Sequence, residues 1–128
     1  MGHVNVNVTL RGETGTRPLT GILVDTGATY TALPSALLEQ VGAFKASFIM
    51  DVELADGRKV PASVYYAAIA IDGREGPAIV LAFEGAKEVI GVQTLESLGL
   101  KPNPDTGKLE PTRPKGVAYF YLLCRQKP

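Results

Sequence analysis

The stretch ILVDTGAT at residues 22–29 sets the interpretation of the whole chain. Three apolar residues run directly into Asp25, and a continuous apolar run predicts a strand that is buried on both faces. A carboxylate at the end of such a strand is costly unless hydrogen bonds or partial neutralisation compensate it. Thr26 supplies a hydroxyl, and Gly27 permits backbone conformations that other residues resist. The stretch therefore predicts an aspartate held in a tight loop. The alternative is that Asp25 only caps a turn, as aspartate often does.

The residues before this stretch predict two strands joined by a turn. Residues 4–10 alternate apolar and polar side chains, and a period of two is typical of a half-buried strand. Two glycines within residues 11–16 indicate a turn. Residues 19–24 then predict the strand that leads into Asp25.

A short strand and a helix are predicted to follow the loop. Residues 30–33 can continue as a strand. Pro34 is placed like the first residue of a helix, where its missing N–H costs nothing. Residues 35–41 have a helical pattern, and Gly42 is expected to end the helix.

The middle of the chain predicts antiparallel hairpins. Residues 48–54 and 59–71 are rich in strand-forming side chains, and the turn ADGR at residues 55–58 separates them. Its Asp-Gly pair is a strong hairpin signal because both residues tolerate positive φ. Residues 72–76 predict a second turn, and residues 78–83 predict the next strand.

The last third of the chain predicts short elements. Residues 89–92 predict an apolar strand, and a helix over residues 93–98 is expected to end at Gly99. Four prolines within residues 101–114 restrict that segment to loop and short edge strands. Residues 117–124 are rich in aromatic side chains and predict a final strand. In total, we expect a mostly β chain with eight to ten strands and two short helices.

Composition favours one globular domain over residues 1–128. The chain is 45% hydrophobic and 20% charged, which is ordinary for such a domain. Lys and Arg total 13, and Asp and Glu also total 13, so the zero net charge argues against a nucleic-acid partner. No apolar run approaches the roughly 20 residues that span a bilayer, so no membrane partner is expected.

The single cysteine and single histidine restrict the chemistry further. Cys124 has no second cysteine to pair with, which favours a cytoplasmic location, and we expect it to be a buried apolar residue of the last strand. One cysteine and one histidine, His3, do not make a typical metal site. We therefore expect no metal and no cofactor.

Two motifs give the chain a resemblance to a known family. The stretch at residues 22–29 resembles the active-site loop of retroviral-type (retropepsin-like) aspartic proteases. Residues 89–92, followed by a predicted helix, resemble the second element of that family, and the hairpin turn at residues 55–58 lies where the family has a flap. The resemblance extends over about residues 4–124 and is greater to cellular prokaryotic members than to viral ones.

The resemblance implies a closed β-barrel of the acid-protease type that forms a two-fold homodimer. It implies that Asp25 and its symmetry mate activate a water that cleaves a peptide or protein substrate. It further implies that Thr26 locks the two loops across the axis and that Gly27 contacts the substrate backbone. The other residues expected to contact substrate are Ala28, Thr29, Ala55, Asp56, Gly57, Arg58, Ile90 and Gly91.

Departures from the family pattern keep a second function open. Viral members carry an Asp–Arg pair at the positions of Thr29 and Val92, and the flap tip of this chain has Gly57 as its only glycine. A dimeric peptide-binding or scaffolding module with the same fold but no hydrolytic activity is therefore the alternative. The strand at residues 117–124 could join the dimer interface or pack in the core of its own subunit.

The sequence contains a second Asp-Thr-Gly at residues 105–107. It lies between Pro104 and Lys108, no apolar strand leads into it, and no alanine follows it. Proline followed by Asp-Thr-Gly is typical of a surface turn. We therefore predict a turn there and assign the chemistry to Asp25.

Overall fold

Strands dominate the structure, as the alternating patterns predict. The computed structural model describes residues 3–121, and this part of the chain contains nine strands and two helices in one small, mostly β domain. The elements in chain order are β1 (Asn5–Arg11), β2 (Thr16–Val24), β3 (Thr31–Ala32), α1 (Ser35–Val41), β4 (Phe44–Glu53), β5 (Lys59–Ile71), β6 (Arg74–Ala82), β7 (Val89–Ile90), α2 (Val92–Leu98), β8 (Leu100–Asn103) and β9 (Lys108–Pro111).

Seven of the strands form one sheet in the order β1, β2, β7, β3, β6, β5, β4, and β8 pairs with β9 in a separate hairpin. Residues 9–11 of β1 also pair with β5, so the pairings of six strands form a ring. The long antiparallel pair of β5 and β6 runs from Ser63 opposite Ala82 to Ile71 opposite Arg74. β4 continues beyond the ring as an edge strand paired with β5.

The short strand β7 lies between two strands that are consecutive in the chain. It pairs in parallel with β2, where Leu23 is opposite Val89 and Val24 is opposite Ile90. It pairs antiparallel with β3, where Ala32 is opposite Val89. This insertion brings the end of β2 next to the start of α2, two points that are far apart in the sequence.

Apolar side chains fill the interior of the ring. Leu10, Ile69, Val80 and Ile90 are fully buried, and each comes from a different strand of the ring. Leu38 is the fully buried side chain of α1. Each such side chain contributes on the order of 2 kcal/mol relative to leaving it in water.

Glycine ends both helices, as predicted. Gly42 and Gly99 adopt the left-handed conformation, with φ of 74° and 69°, and their N–H groups bond to carbonyls of the last helical turn. Pro34 precedes α1 as its N-cap instead of being its first residue. Within residues 3–121 neither helix, each of seven residues, is long or apolar enough to cross a membrane.

Burial at the end of β2 differs from the prediction. Ile22 and Val24 are buried, whereas Leu23 is only partly buried. Successive side chains of a strand point to opposite faces, so Leu23 lies on the outer face of the ring while its neighbours face the core. The prediction that both faces are buried was therefore wrong for the outer face.

The predicted last strand is also corrected over its described part. Residues 117–120 form no strand, and the side chains of Val117, Tyr119, Phe120 and Tyr121 are exposed. Aromatic strand propensity depends on a neighbouring strand to pack against, and within residues 3–121 this segment pairs with none. The remainder of the predicted strand, including Cys124, lies outside the described residues.

Tyr65 is a buried phenol in β5, and its hydroxyl donates a 2.7 Å hydrogen bond to the carboxylate of Glu39 on α1. Burial raises the pKa of Tyr65 to about 12, and the hydrogen bond and the negative charge of Glu39 act in the same direction. The bond connects the sheet to the helix that follows β3.

We expect Tyr65 to make the fold sensitive to alkali. The folded pKa of about 12 lies above the ordinary value of 10.0, so the unfolded chain loses this proton first as the pH rises. The stability from Tyr65 is thus fully present below pH 10 and is lost as the pH rises towards 12. Tyr65→Phe should cost about 1 kcal/mol near neutral pH and flatten this alkaline decline. Urea unfolding across this pH range measures both effects, and an equally steep decline in the variant would contradict the assignment.

Candidate active site

Residues 25–29, here called the Asp25 loop, begin where β2 ends. The Asp25 N–H donates to the carbonyl of Ile90 at 2.9 Å, which extends the parallel pairing of β2 and β7 by one bond. The Ala28 N–H then donates to the carbonyl of Asp25 at 3.1 Å and closes a turn. The predicted tight loop at a strand end is therefore present.

The carboxylate of Asp25 is oriented by the backbone of its own loop. The Gly27 N–H donates to Asp25 Oδ1 at 2.9 Å. A Cβ added at Gly27 would lie 3.2 Å from the same oxygen, so glycine leaves room for this approach. Asp25 is partly buried, while Thr26 and Gly27 are exposed. The acid is thus fixed in orientation and still open to solvent.

The start of α2 holds the Asp25 loop through backbone hydrogen bonds. The Val92 N–H donates to the carbonyl of Ala28, and the Gln93 N–H donates to the carbonyl of Thr29, both at 2.9 Å. The first amides of a helix have no partner within the helix. Among residues 3–121 no side chain caps α2, whose N-cap is Gly91, and the carbonyls of the Asp25 loop serve as its cap.

Close contact at Gly91 makes this support possible. A Cβ added there would lie 2.4 Å from the carbonyl carbon and oxygen of Tyr30 and 2.9 Å from the carbonyl oxygen of Ala28. These are backbone atoms that cannot move aside without displacing the loop. The apolar-apolar-Gly motif therefore has a steric reason, which is the contact of two backbones.

The structure brings most of the predicted site residues into one group. Residues 25–29 lie directly against Ile90 and Gly91. Ile90 has 0% of its surface exposed, and Gly91 is buried as well, so both contact the loop instead of presenting surface to a ligand in this chain. Ala28 is partly buried and Thr29 is exposed.

The predicted hairpin turn at residues 55–58 is confirmed. The Leu54 N–H donates to the Arg58 carbonyl at 2.7 Å, and Gly57 has a φ of 88°. Arg58 Nε donates to Asp56 Oδ2 at 2.8 Å, and its N–H donates to Oδ1 at 3.0 Å. These bonds to Arg58, the backbone bond first, lower the pKa of Asp56. No hydrogen bond between described residues joins this turn to the Asp25 loop.

Two adjoining depressions lie along the β4–β5 hairpin and not at Asp25. They have volumes of about 410 and 360 Å³, and Pro61 and Glu84 line both. Ile49 and Phe83 line the larger one, and Arg58 lines the smaller one. They form where β5 continues past its last pairing with β6, opposite the chain that follows β6.

The second Asp-Thr-Gly is a surface turn, as predicted. It connects β8 to β9, and all three of its residues are exposed. The side chain of Asn103 accepts from the Asp105 N–H at 3.0 Å, and the Asn103 carbonyl accepts from the Gly107 N–H at 2.9 Å. Asp105 therefore has a turn-forming role.

The sequence patterns did not indicate two further residues at the site. Thr31 and Thr94 are buried, and their hydroxyl oxygens lie 2.6 Å apart. Thr31 Oγ1 also accepts from the Gly91 N–H at 3.1 Å. A threonine within a short strand or a helix is usually exposed, so only the spatial contact distinguishes this pair.

No protein-family model matches the chain, and no curated protein is similar to it above chance. The resemblance carried by the two motifs therefore stays a prediction.

We expect Gly91→Ala to disrupt the site, because the new methyl would meet backbone 2.4 Å away. Overpacking of this kind costs about 1–3 kcal/mol or more, and it should displace the Asp25 loop. Urea unfolding gives the cost, and amide chemical shifts of residues 25–29 report the displacement.

Gly15→Ala is the matched control. A Cβ at Gly15 meets no atom of the described part of the chain within 4 Å, and the φ of Gly15 is not positive, so this variant should be neutral or slightly stabilised. If the Gly91 and Gly15 variants unfold at the same urea concentration, the close contact at Gly91 is not a constraint.

Proposed function

We propose that the protein is one subunit of a homodimeric, retropepsin-like aspartic endopeptidase, with Asp25 as its catalytic acid. The observation that supports this most is the carboxylate of Asp25, which is fixed by the Gly27 amide at a strand end and is open to solvent. A rigid scaffold around an accessible acid is what general acid–base catalysis requires. The support from α2 keeps this acid in place.

The proposed chemistry needs two carboxylates, and the loop of one chain provides one. A two-fold axis at the Asp25 loop would place Asp25 beside its symmetry mate. Carboxylates about 3 Å apart cannot both ionise, and aspartic proteases are the standard example of such a pair sharing one proton. The ionised member takes a proton from water, and the resulting hydroxide adds to the scissile carbonyl carbon. The protonated member donates its proton to the carbonyl oxygen, which gives a tetrahedral diol. The carboxyl that took the proton from water then gives it to the amide nitrogen, and the other carboxylate takes a proton from one hydroxyl of the diol. The C–N bond breaks, the amine and the new carboxylic acid leave, and the pair again shares one proton.

The exposed parts of the chain are consistent with such a dimer. Thr26 is exposed beside Asp25, and its hydroxyl is proposed to bond across the axis. Residues 117–121 expose four large apolar side chains, and exposed apolar patches mark interaction surfaces. We infer that this segment joins the dimer interface instead of its own core. The ring of six strands is taken as the closed barrel of the acid-protease type.

The hairpin turn at residues 55–58 is proposed as the flap that covers an extended peptide and excludes water. Its bonds between Asp56 and Arg58 give it a polar, ordered tip. Together with Ala28 and Thr29, this turn would contact substrate, while Ile90 and Gly91 would support the loop. The reaction needs no cofactor, and the lone cysteine favours the cytoplasm as the compartment.

The first test is Asp25→Asn, which removes the acid and retains the size of the side chain. We expect cleavage of an unfolded protein mixture at pH 3 to 7 to fall by on the order of 10³-fold. Mass spectrometry of the new termini measures it. Asp105→Asn is the matched control, since it changes the same residue in the other Asp-Thr-Gly and should cleave normally. Unchanged cleavage by the Asp25 variant would remove Asp25 from the mechanism.

The second test asks whether two subunits share one site. Wild-type chains refolded with an equal amount of Asp25→Asn chains should form about one quarter wild-type dimers by random pairing. If both carboxylates are needed, the activity should fall to about one quarter of that of the same total amount of wild-type chains. An activity of about one half would show that each subunit acts alone. Light scattering on the same samples verifies the dimer.

One observation favours the silent binding module as a second candidate. The two depressions lie along the hairpin and exclude Asp25. A dimer that binds peptides there, with wild type and Asp25→Asn showing equal affinity and no cleavage, would support the module and contradict the enzyme.

A further inference from the structure

We propose that Thr94 is a positioning residue for the Asp25 loop. Its hydroxyl, with the hydroxyl of Thr31 and the amide of Gly91, forms an uncharged clamp that holds the loop and α2 in one fixed arrangement. The relevance of this clamp for catalysis rests on the proposed function, but its effect on the loop does not.

The burial of the two hydroxyls is the first observation. Among the described residues, Thr31 and Thr94 are the buried polar side chains apart from the phenol of Tyr65, and each has 0% of its surface exposed. A buried hydroxyl is costly unless it is hydrogen-bonded. These two oxygens lie 2.6 Å apart although their residues are 63 positions apart in the chain. Apolar side chains at these two positions would avoid this cost. The presence of two hydroxyls therefore indicates a specific role for the pair.

The connections of the pair lead to the loop. Thr31 Oγ1 accepts from the Gly91 N–H at 3.1 Å. The next amide along the chain, that of Val92, donates to the carbonyl of Ala28 at 2.9 Å. At the other end of the loop, the Asp25 N–H donates to the Ile90 carbonyl at 2.9 Å. The loop is therefore held at its start by β7 and just after its end by the hydroxyl pair.

The side chain of Gln93, the residue before Thr94 in α2, bonds to another part of the fold. Of these two side chains, only that of Thr94 connects α2 to Thr31. The side chain of Gln93 accepts from the Ile79 N–H at 2.9 Å and donates to the carbonyl of Pro77. These bonds attach the helix to β6. Thr94, the next residue, attaches the same helix to Thr31 beside the loop.

No ion pair could provide this connection. Residues 25–31 contain Asp25 as their only charged side chain, and residues 89–98 contain Glu96 as theirs. Two acids cannot attract each other, so the connection depends on neutral groups. Bonds between neutral groups are not screened by salt, in contrast to exposed ion pairs.

Thr94→Val tests the clamp, because it removes the hydroxyl and leaves the branched shape. Hydrogen exchange of backbone amides, followed by NMR, is the readout. We expect the amides of Ala28, Gly91 and Val92 to exchange at least about tenfold faster, while amides of the β5–β6 pair change less. Thr94→Ser retains the hydroxyl and should restore slow exchange. The increase should be the same at low salt and at about 1 M salt.

Tyr65→Phe is the matched control for a simple loss of stability. It also removes one hydroxyl that is hydrogen-bonded, at a point outside the clamp. The proposal is overturned if Thr94→Val leaves the loop amides unchanged. It is also overturned if all amides accelerate together, or if Tyr65→Phe accelerates the loop amides equally.

Peptide cleavage is the second readout. With the loop displaced, Thr94→Val should lower kcat by about 10- to 100-fold and leave KM nearly unchanged, and Thr94→Ser should recover most of kcat. Equal loss in the Val and Ser variants would assign the effect to packing and overturn the positioning role. If the wild type cleaves no peptide, the proposed peptidase activity is wrong. The hydrogen-exchange measurement alone then tests whether the clamp holds the loop.

Discussion

The close contact between the backbone of Gly91 and the backbones of Ala28 and Tyr30 holds the two motifs of the site together. It allows β7 to lie between β2 and β3, although these two strands are consecutive in the chain. A side chain at Gly91 would separate the two motifs. Because the contact is so close, two residues of pairing are enough to align the end of β2 with the start of α2.

The Asp25 loop and α2 satisfy each other's backbone groups. The helix has amides without intrahelical partners, and the loop has carbonyls directed at them. This exchange removes the need for a capping side chain on α2, and it fixes the loop without using the carboxylate of Asp25. The carboxylate accepts one hydrogen bond from the residues that the structure describes, from the Gly27 N–H, and Asp25 is only partly buried. An acid that is held in position, but whose oxygens are not all occupied by structural hydrogen bonds, suits the proposed catalysis.

The single chain holds half of the proposed catalytic group. Three features of each chain face solvent at least in part: the carboxylate of Asp25, the neighbouring Thr26 and the aromatic side chains within residues 117–121. A two-fold partner would use all three at once, because the axis that pairs the two carboxylates also brings identical surfaces together.

Most local elements follow from the amino-acid sequence alone. Periodicity and glycine placement predicted α1 over its observed range, the ends of both helices and the hairpin turn at residues 55–58, since these depend on nearby residues. The sequence also distinguished Asp25 from Asp105 as the candidate site residue, because only Asp25 follows an apolar strand. Boundaries were less accurate, and β4 and β6 each begin four residues before their predicted starts, because cross-strand pairing extends them.

The contacts between distant residues become visible only in the folded chain. The ring of pairings, the insertion of β7 and the Thr31–Thr94 pair join residues separated by many positions, and no local pattern encodes them. The exposure of residues 117–121 also depends on the fold, because aromatic residues form a strand only where another strand accepts their hydrogen bonds. Local preference sets what each segment can become, and long-range packing selects among these possibilities.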